Sequence, residues 1–472
     1  MTGDGRVAAA MERAAGGATA PFGWTPLVAM VLVTLVDRIE SSVVAGVLPL
    51  LQDEWGFSDS AGGAIPAAVG IAGLVVTLPA GRLADRVDRR RLVAGVVASW
   101  SLIIAGSGLA TGFAMFFATR VVLGAADSLE GPSAASALAD YYPPRARARV
   151  YGYHRMATFA GAPLGALLGG VVGELFGWRW AFFFMIVPGL MVAWFVRRLP
   201  EPRRGEVDRL VAWAGIAGDT SETGDTGPDA SATVAPEPAL PSPTTLRADL
   251  RLLTRIPTVA RLYLGLLVLF FGLGGVAFWL PSFFERTYDV GESAAAALAA
   301  GIGLVGVGTG ATVGGVLGDR WHGVRPGARL LIGGGGQLLG SSALLAAFAL
   351  DPLALRAPLL ALALALASLG IPTLSAAIAD VLPTRRRGVG FALLNFVVAL
   401  GGSLGPLAVG GLSDAFGSLT AALGTLALPV AAGSLIVLSA RRTYEDDAAA
   451  VLADALAVDD FDGTGAVDDT RR

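Results

Sequence analysis

Long apolar runs recur twelve times along the chain and constrain its fold more than any other feature. An α-helix needs about 17 to 25 residues to cross the hydrocarbon core of a bilayer, and each run is long enough. The chain is also 54% hydrophobic and only 15% charged, which is too apolar for an ordinary soluble protein. We therefore predict an all-α polytopic membrane protein with twelve transmembrane helices. The predicted spans are 26–51, 61–80, 92–112, 113–139, 150–173, 180–196, 259–284, 294–317, 328–348, 353–382, 388–412 and 419–440.

Arginine is concentrated in every second loop. The stretches "GRLADRVDRRR", "PPRARAR", "RRLPEPRR" and "TRRRG" follow even-numbered spans, whereas intervening loops such as "QDEWGFSDS" are acidic or nearly uncharged. Because cytoplasmic loops are enriched in basic residues, both termini and the central loop are predicted to lie in the cytoplasm, with the spans in the cell (inner) membrane. The N-terminal residues lack the apolar core of a signal peptide, so insertion is expected to rely on the first helix.

Composition divides the chain into five segments. Residues 1–24 form a predicted disordered cytoplasmic tail, 25–199 and 251–442 form two six-helix halves, and 443–472 form an acidic cytoplasmic tail. Residues 200–250 include "GDTSETGDTGPDASATVAPEPALPSPTT", which cannot bury enough apolar surface to fold. This segment is therefore predicted to be a cytoplasmic linker.

The two halves repeat each other. The stretch that begins at Ala137 aligns without a gap with the stretch that begins at Ala377. This alignment superposes Asp140 on Asp380, Pro143 on Pro383, Gly165 on Gly405 and Gly177 on Gly417. In addition, "GRLADR" at Gly81 has a degraded copy, "GVLGDR", at Gly315. Homologous halves that end on the same side of the membrane predict a parallel, pseudo-symmetric pair of six-helix bundles.

Several classes of chemistry lack their residues in this chain. Lysine is absent, although a Walker A phosphate loop requires it, and cysteine is absent, which excludes disulfides and thiolate sites. There are two histidines, with no H-E-x-x-H and no G-x-S-x-G motif. We expect no enzymatic activity, no metal and no cofactor. A receptor-like protein is a further alternative, but it would not explain two homologous halves with paired loops.

The first span contains three ionisable residues in its middle, Asp37, Arg38 and Glu40. A central charge that faces lipid costs about 2.5 to 3.5 kcal/mol on insertion scales, so these side chains are expected to face protein or water. Successive residues of a helix point about 100° apart, so Asp37 and Arg38 need not pair with each other. The charges then either pin helices together or take part in binding and coupling, and intramembrane ionisable groups favour the second interpretation.

The fourth span contains a complementary set, Arg120, Asp127 and Glu130. Spacings of seven and three residues place these side chains on one stripe of a helix. Because removal from water favours the protonated form of a carboxylic acid, such acids can exchange a proton near neutral pH.

The stretch "GRLADRVDRR" resembles the loop signature of the major facilitator superfamily between its second and third helices. The matching positions are Gly81, Asp85, Arg86 and Arg90, and the degraded copy contributes Asp319 and Arg320. The resemblance implies the major facilitator fold, in which the first, fourth, seventh and tenth helices line a central cavity. It also implies that these loop residues act in gating.

Other stretches resemble the spinster family of lysolipid and sphingolipid transporters, from about Val31 to Phe416. They include "VDRIESSVVAGVLP", "RVVLGAADSLEGPSAASALADYYPP", "EPRRGEVDR", "RADLRLLTRIPT" and "IADVLPTRRR". The chain departs from that family at Asp127, where glutamate is usual, and at His154 and Arg155, where apolar or aromatic residues are expected.

Together, the residues and the resemblance imply a secondary active transporter that works by alternating access, is coupled to protons and moves an amphipathic anion such as a lysophospholipid. Arg38 and Arg120 are expected to bind the headgroup, and Phe278 and Trp279 to border the acyl chain. The candidate coupling acids are Asp37, Glu40, Asp127 and Glu130. A proton-coupled drug exporter and an organic-anion symporter remain alternatives. The expected partners are the substrate, protons and the lipid bilayer, with no nucleic acid, and the protein is expected to be a monomer.

Overall fold

The computed structural model describes residues 20–84, 89–127, 137–138, 140–200, 207, 246–321, 324–383 and 386–463, and these are helical with short connections. The helices of the first half are α1 (Thr25–Trp55), α2 (Asp59–Ala84), α3 (Arg89–Gly108), α4 (Phe113–Asp127), α5 (Pro144–Phe176) and α6 (Trp178–Arg197). The later helices are α7 (Leu246–Arg255), α8 (Pro257–Tyr288), α9 (Glu292–Trp321), α10 (Ala328–Ala349), α11 (Leu353–Ser368), α12 (Gly370–Val381), α13 (Arg387–Phe416), α14 (Leu419–Thr425), α15 (Ala427–Ser439) and α16 (Arg441–Gly463).

Over the residues that the structure describes, each predicted span overlaps a helix or a pair of helices. Within the described residues, ten helical stretches are long and apolar enough to cross a membrane. The other two predicted spans correspond to α1, which contains several ionisable residues, and α4, which reaches the end of a described range at Asp127. Two predicted spans are interrupted, α11–α12 at Leu369 and α14–α15 at Leu426. The all-α polytopic architecture is therefore confirmed.

The segments outside the predicted spans contain two helices that composition did not indicate. Helix α7 lies at the end of the predicted linker, and α16 occupies most of the predicted acidic tail. Acidic side chains dock α16: Glu445 Oε1 accepts the Gly327 N–H at 2.6 Å, and Asp447 Oδ2 accepts the Thr258 N–H at 3.2 Å. The expected N-terminal disorder lies outside the described residues, apart from residues 20–24.

The side chains of Arg329 and Tyr444 both donate to Asp380, which links α16 to α10 and α12. Burial, followed by the hydrogen bond to Asp380, raises the pKa of the Tyr444 phenol. The phenol therefore stays protonated and can act as the donor at neutral pH.

The helices pack into two compact units. Among the described residues, unit 1 draws on Met1–Ser58, Ile65–Ala239 and Leu280–Ala300, and unit 2 on Asp59–Ala64, Leu240–Trp279 and Gly301–Arg472. The units follow the predicted halves except at two places. The start of α2 belongs to unit 2, and the region that joins α8 to α9 belongs to unit 1.

In unit 1, glycines let α5 pack directly on α1. A Cβ atom at Gly165 would lie 2.1 Å from the Ile39 carbonyl oxygen, and one at Gly161 would lie 2.4 Å from the Arg38 Cβ. Such distances leave no room for a side chain, so the two backbones are in contact.

Unit 2 has the same packing between α13 and α8. A Cβ atom at Gly405 would lie 2.0 Å from the Phe271 carbonyl oxygen. Since the sequence alignment superposes Gly165 on Gly405, the repeat is reproduced in the helix packing.

A polar cluster ties the end of α1 to the start of α6. Glu54 accepts hydrogen bonds from Trp178 Nε1 at 2.6 Å and from both terminal nitrogens of Arg179, at 3.0 and 2.7 Å. The hydrogen bonds from Arg179, and next the one from Trp178, hold the pKa of Glu54 below its ordinary value. Helix α1 ends one residue later at Trp55, and its C-cap is Gly56, whose φ of 64° suits a glycine.

Candidate functional site

The centre of unit 1 contains a buried ion pair between α4 and α1. Arg120 Nη1 donates to Glu40 Oε1 at 2.7 Å, and the two side chains are 2% and 0% exposed. Ser107 of α3 accepts from Arg120 Nε at 3.2 Å and from Nη2 at 2.5 Å. The guanidinium also lies over the rings of Phe116 and Phe182, at 5.4 and 5.1 Å from their centroids.

This enclosure bears on the predicted role of Arg120. Its guanidinium is shared between Glu40 and Ser107 and covered by two aromatic rings, so it does not present itself to a ligand. The prediction that Arg120 binds a headgroup directly does not fit this geometry. The residue instead holds Glu40 and joins three helices.

Asp37 and Arg38 form a second pair on α1. Arg38 Nε lies 3.2 Å from Asp37 Oδ2, although adjacent helical residues need not pair. The Asp37 side chain is 3% exposed and that of Arg38 is 45% exposed. Of the two predicted headgroup ligands, Arg38 is therefore the accessible one.

A third acid, Asp127, completes the cluster. Its charge interacts with those of Asp37, Glu40, Arg38 and Arg120. Within the described residues, Asp127 Oδ1 and Glu40 Oε2 are buried and have no hydrogen-bond partner. The described cluster thus contains more acids than bases, and two acid oxygens have no donor. A proton is the simplest group that satisfies such an oxygen.

The remaining predicted coupling and gating residues are only partly described. Glu130, Asp85 and Arg86 lie outside the described residues. Gly81 lies in the last turn of α2, and Arg90 lies in the first turn of α3. Asp319 and Arg320 are exposed near the end of α9.

In unit 2, the two predicted aromatic residues of α8 differ in exposure. Phe278 is partly exposed, whereas Trp279 is 0% exposed and its indole Nε1 donates to the Pro406 carbonyl at 2.9 Å. The Trp279 ring packs between α8 and α13 and offers no exposed surface in this structure, so its place beside an acyl chain stays a prediction. Phe278 remains a candidate.

Sequence reasoning missed the residues that enclose Arg120. Ser107 is one of several hydroxyl residues in an apolar run, and Phe116 and Phe182 belong to aromatic-rich spans, so no local pattern distinguishes them. Their role follows from the way that α3, α4 and α6 meet.

Comparison with known proteins assigns the family. The sequence model of the family described as "Major Facilitator Superfamily" matches residues 30–406, which is most of the chain. The chain belongs to the Major Facilitator Superfamily. This is a family of membrane transporters, not of enzymes.

The chain is similar to curated proteins that carry different names. Protein spinster homolog 1 of Homo sapiens is 30% identical over 276 residues, which cover 56% of this chain and 47% of the relative. The gallate transporter of Pseudomonas putida is 27% identical over 316 residues, or 64% of this chain and 67% of the relative. Puromycin resistance protein pur8 of Streptomyces alboniger is 28% identical over 192 residues, or 40% and 38%. The chain thus matches about half of the length of the spinster relatives.

A solved structure shares the fold. The inward-facing, unoccupied crystal structure of a bacterial homolog to the human lysosomal transporter spinster superposes with a TM-score of 0.69 at 23% sequence identity. The superposition covers 91% of this chain and 97% of the other. The two chains therefore share the same fold.

Proposed function

We propose that the protein is a proton-coupled secondary transporter that moves an amphipathic anion, such as a lysophospholipid, by alternating access. The observation that carries the proposal is the cluster of Asp37, Glu40 and Asp127 with Arg38 and Arg120, in which Asp37, Glu40 and Arg120 are buried. A charged group deep in a membrane protein is costly and is typical of an ion or substrate pathway.

The acids of the cluster suit proton coupling. One oxygen of Glu40 accepts a hydrogen bond from Arg120. The other oxygen of Glu40 and the Oδ1 atom of Asp127 have no donor within the described part of the chain. A proton taken up by Asp127 or Glu40 would satisfy an acceptor and balance the excess acid. Its loss would leave a buried negative charge, which biases the protein towards another conformation.

Arg38 suits the headgroup. Guanidinium binds a phosphate or carboxylate through two parallel hydrogen bonds and remains charged at any physiological pH. Arg38 combines this chemistry with a 45% exposed side chain held at its base by Asp37. An arriving anion would compete with Asp37 for the guanidinium, which couples substrate binding to the protonation of the acids.

The apolar part of the substrate is assigned to the second half. Helix α8 contains Phe270, Phe271 and Phe278, and α12 has hydroxyls but no charge before Asp380. An amphipathic solute needs both charged and apolar side chains, and the chain offers charges in its first half and aromatic residues in its second. The resemblance to lysolipid transporters supports the same substrate class.

Export of a drug or uptake of an organic anion is the second candidate. The gallate transporter and puromycin resistance protein pur8 are similar to this chain at comparable identity. A small hydrophilic anion could use Arg38 without any apolar wall. The two candidates therefore differ in their response to chain length.

The test uses purified protein in liposomes with labelled lysophospholipids, gallate-type carboxylates and a cationic drug, with and without a pH gradient. We expect a pH gradient to drive accumulation of the lysophospholipid. Asp127→Asn should keep substrate exchange and lose the pH-driven accumulation. Asp446→Asn, which changes an exposed acid of α16, is the matched control. If Asp37→Asn, Asp127→Asn and Glu40→Gln all accumulate substrate like the parent, proton coupling through this cluster is refuted.

The proposal also includes topology and gating. With both termini in the cytoplasm, a reporter inserted near Asp225 should be cytoplasmic. Asp85, Arg86 and Arg90, with Gly81 allowing close approach, are proposed to hold the cytoplasmic side shut, and Asp319 and Arg320 to act in the second half. Asp85→Asn should then raise the labelling rate of a single cysteine introduced on the cytoplasmic side.

A further inference from the structure

Glu174 caps a helix of the other half of the chain. It lies in the last turns of α5, and its Oε2 accepts the backbone N–H of Ser293 at 2.6 Å. Ser293 is in the first turn of α9, which is part of the second half in sequence. The carboxylate therefore satisfies a donor that the helix itself leaves unpaired, at the end where the helix dipole favours an anion.

Asp414 makes the corresponding contact in unit 2. It lies near the end of α13, and its two oxygens accept the backbone N–H groups of Asp59 at 3.0 Å and Ser60 at 2.8 Å. These residues open α2, which belongs to the first half in sequence. The neighbouring Ser413 hydroxyl donates to Asp59 Oδ2 at 2.6 Å, so the start of α2 is held from both sides.

The two contacts are related by the internal repeat. The alignment that superposes Gly177 on Gly417 also superposes Glu174 on Asp414. The alignment of Gly81 with Gly315 likewise superposes Asp59 on Ser293. Each acid therefore stands at the same repeat position and caps the same repeat helix of the opposite half.

A glycine one turn before each acid allows the close approach. A Cβ atom at Gly170 would lie 2.7 Å from the Glu292 carbonyl oxygen, and one at Gly410 would lie 2.2 Å from the Asp59 carbonyl oxygen. The sequence alignment superposes these two glycines as well. The backbone contact and the carboxylate cap thus occur together, once in each half of the repeat.

We propose that Glu174 and Asp414 are positioning residues of the transport cycle, each forming a latch between the two halves of the chain. The proposal rests on alternating access as the proposed function. By the predicted topology, both latches lie at helix ends that face away from the cytoplasm. An exposed carboxylate on a helix N-terminus is a weak, reversible interaction, which suits a contact that breaks and reforms in each cycle.

The absence of cysteine allows a direct test. Ala296→Cys places a thiol at a buried position of α9 that packs against Gly170, and its labelling by a maleimide measures separation at the first latch. Glu174→Gln and Asp414→Asn keep the size of each side chain but remove its charge. We expect each to raise the labelling rate by about 2- to 5-fold, the factor that corresponds to one carboxylate at a helix N-terminus. The labelling rate of the double variant should exceed that of either single variant.

Glu54→Gln is the matched control, because the partners of Glu54, Trp178 and Arg179, belong to its own half. It should leave the labelling rate unchanged. Glu174→Asp and Asp414→Glu, which keep the charge, should stay closer to the parent, and they serve as the test if a neutral variant does not fold. Unchanged labelling in both neutral variants and in their double would overturn the latch. The assay needs neither substrate nor a pH gradient, so its failure is distinct from failure of the proposed function.

Discussion

Arg120 and Glu40 form a buried ion pair in unit 1, 2.7 Å apart, with side chains that are 2% and 0% exposed. Removing one partner of such a pair leaves an uncompensated buried charge, which costs about 3 to 5 kcal/mol. We therefore expect Arg120→Gln to lower the thermal unfolding temperature in detergent strongly. The double variant Arg120→Gln/Glu40→Gln should recover part of the loss, because it leaves no charge behind. A single variant as stable as the parent would contradict a closed pair.

The glycine contacts predict that two glycine-to-alanine variants differ strongly in thermal stability. Gly165→Ala places a Cβ 2.1 Å from the Ile39 carbonyl oxygen and should separate α1 from α5, at a cost of about 1 to 3 kcal/mol, typical of overpacking. Gly95→Ala on α3 is the control, since nothing lies within 4 Å of the new atom. Thermal unfolding of the two variants measures the difference. Equal stability would mean that α1 and α5 can separate without cost.

The environment of Glu54 predicts that the stability of the protein depends on pH. Its pKa is lowered in the folded protein by Arg179 and Trp178, so its contribution to stability is present above its ordinary value of 4.5. That contribution is lost as the pH falls through the lower, folded value. The difference in unfolding temperature between the parent and Glu54→Gln should therefore shrink between about pH 6 and about pH 3. Asp446→Asn, at an exposed acid of α16, is the control variant.

The fold could be predicted from the sequence, because apolar length, alternating arginine loops and an internal repeat are properties of whole segments. The burial of single side chains could not. Trp279 and Phe278 are neighbours on an apolar helix, yet the Pro406 carbonyl of α13 holds the first inside. Likewise, the spacing on α4 placed Arg120 on the correct stripe, whereas its enclosure depends on Ser107 and two rings from other helices. The acids at Glu174 and Asp414 lie at predicted span ends, where sequence alone indicates only solvent contact.

The last prediction concerns the substrate. If Arg38 binds an anionic headgroup, Arg38→Lys should reduce the preference for lysophospholipids over uncharged lipids, because an ammonium cannot make the two parallel hydrogen bonds of a guanidinium. Arg251→Lys, on the exposed part of α7, is the matched control. Binding in detergent, followed by thermal shift or intrinsic fluorescence, measures both variants.

The apolar part of the substrate gives the same experiment a second arm. Each added methylene that becomes buried should strengthen binding by about 0.8 kcal/mol, or about fourfold, until the space for the chain is filled. Phe278→Ala should flatten this dependence, whereas Trp279→Phe should lower stability through the lost hydrogen bond to Pro406 and leave the dependence in place. If a small hydrophilic anion binds as tightly as any lysophospholipid, with no gain from added methylenes, the lipid substrate is refuted. The organic-anion candidate would then take its place, with Arg38 keeping its role as the anion ligand.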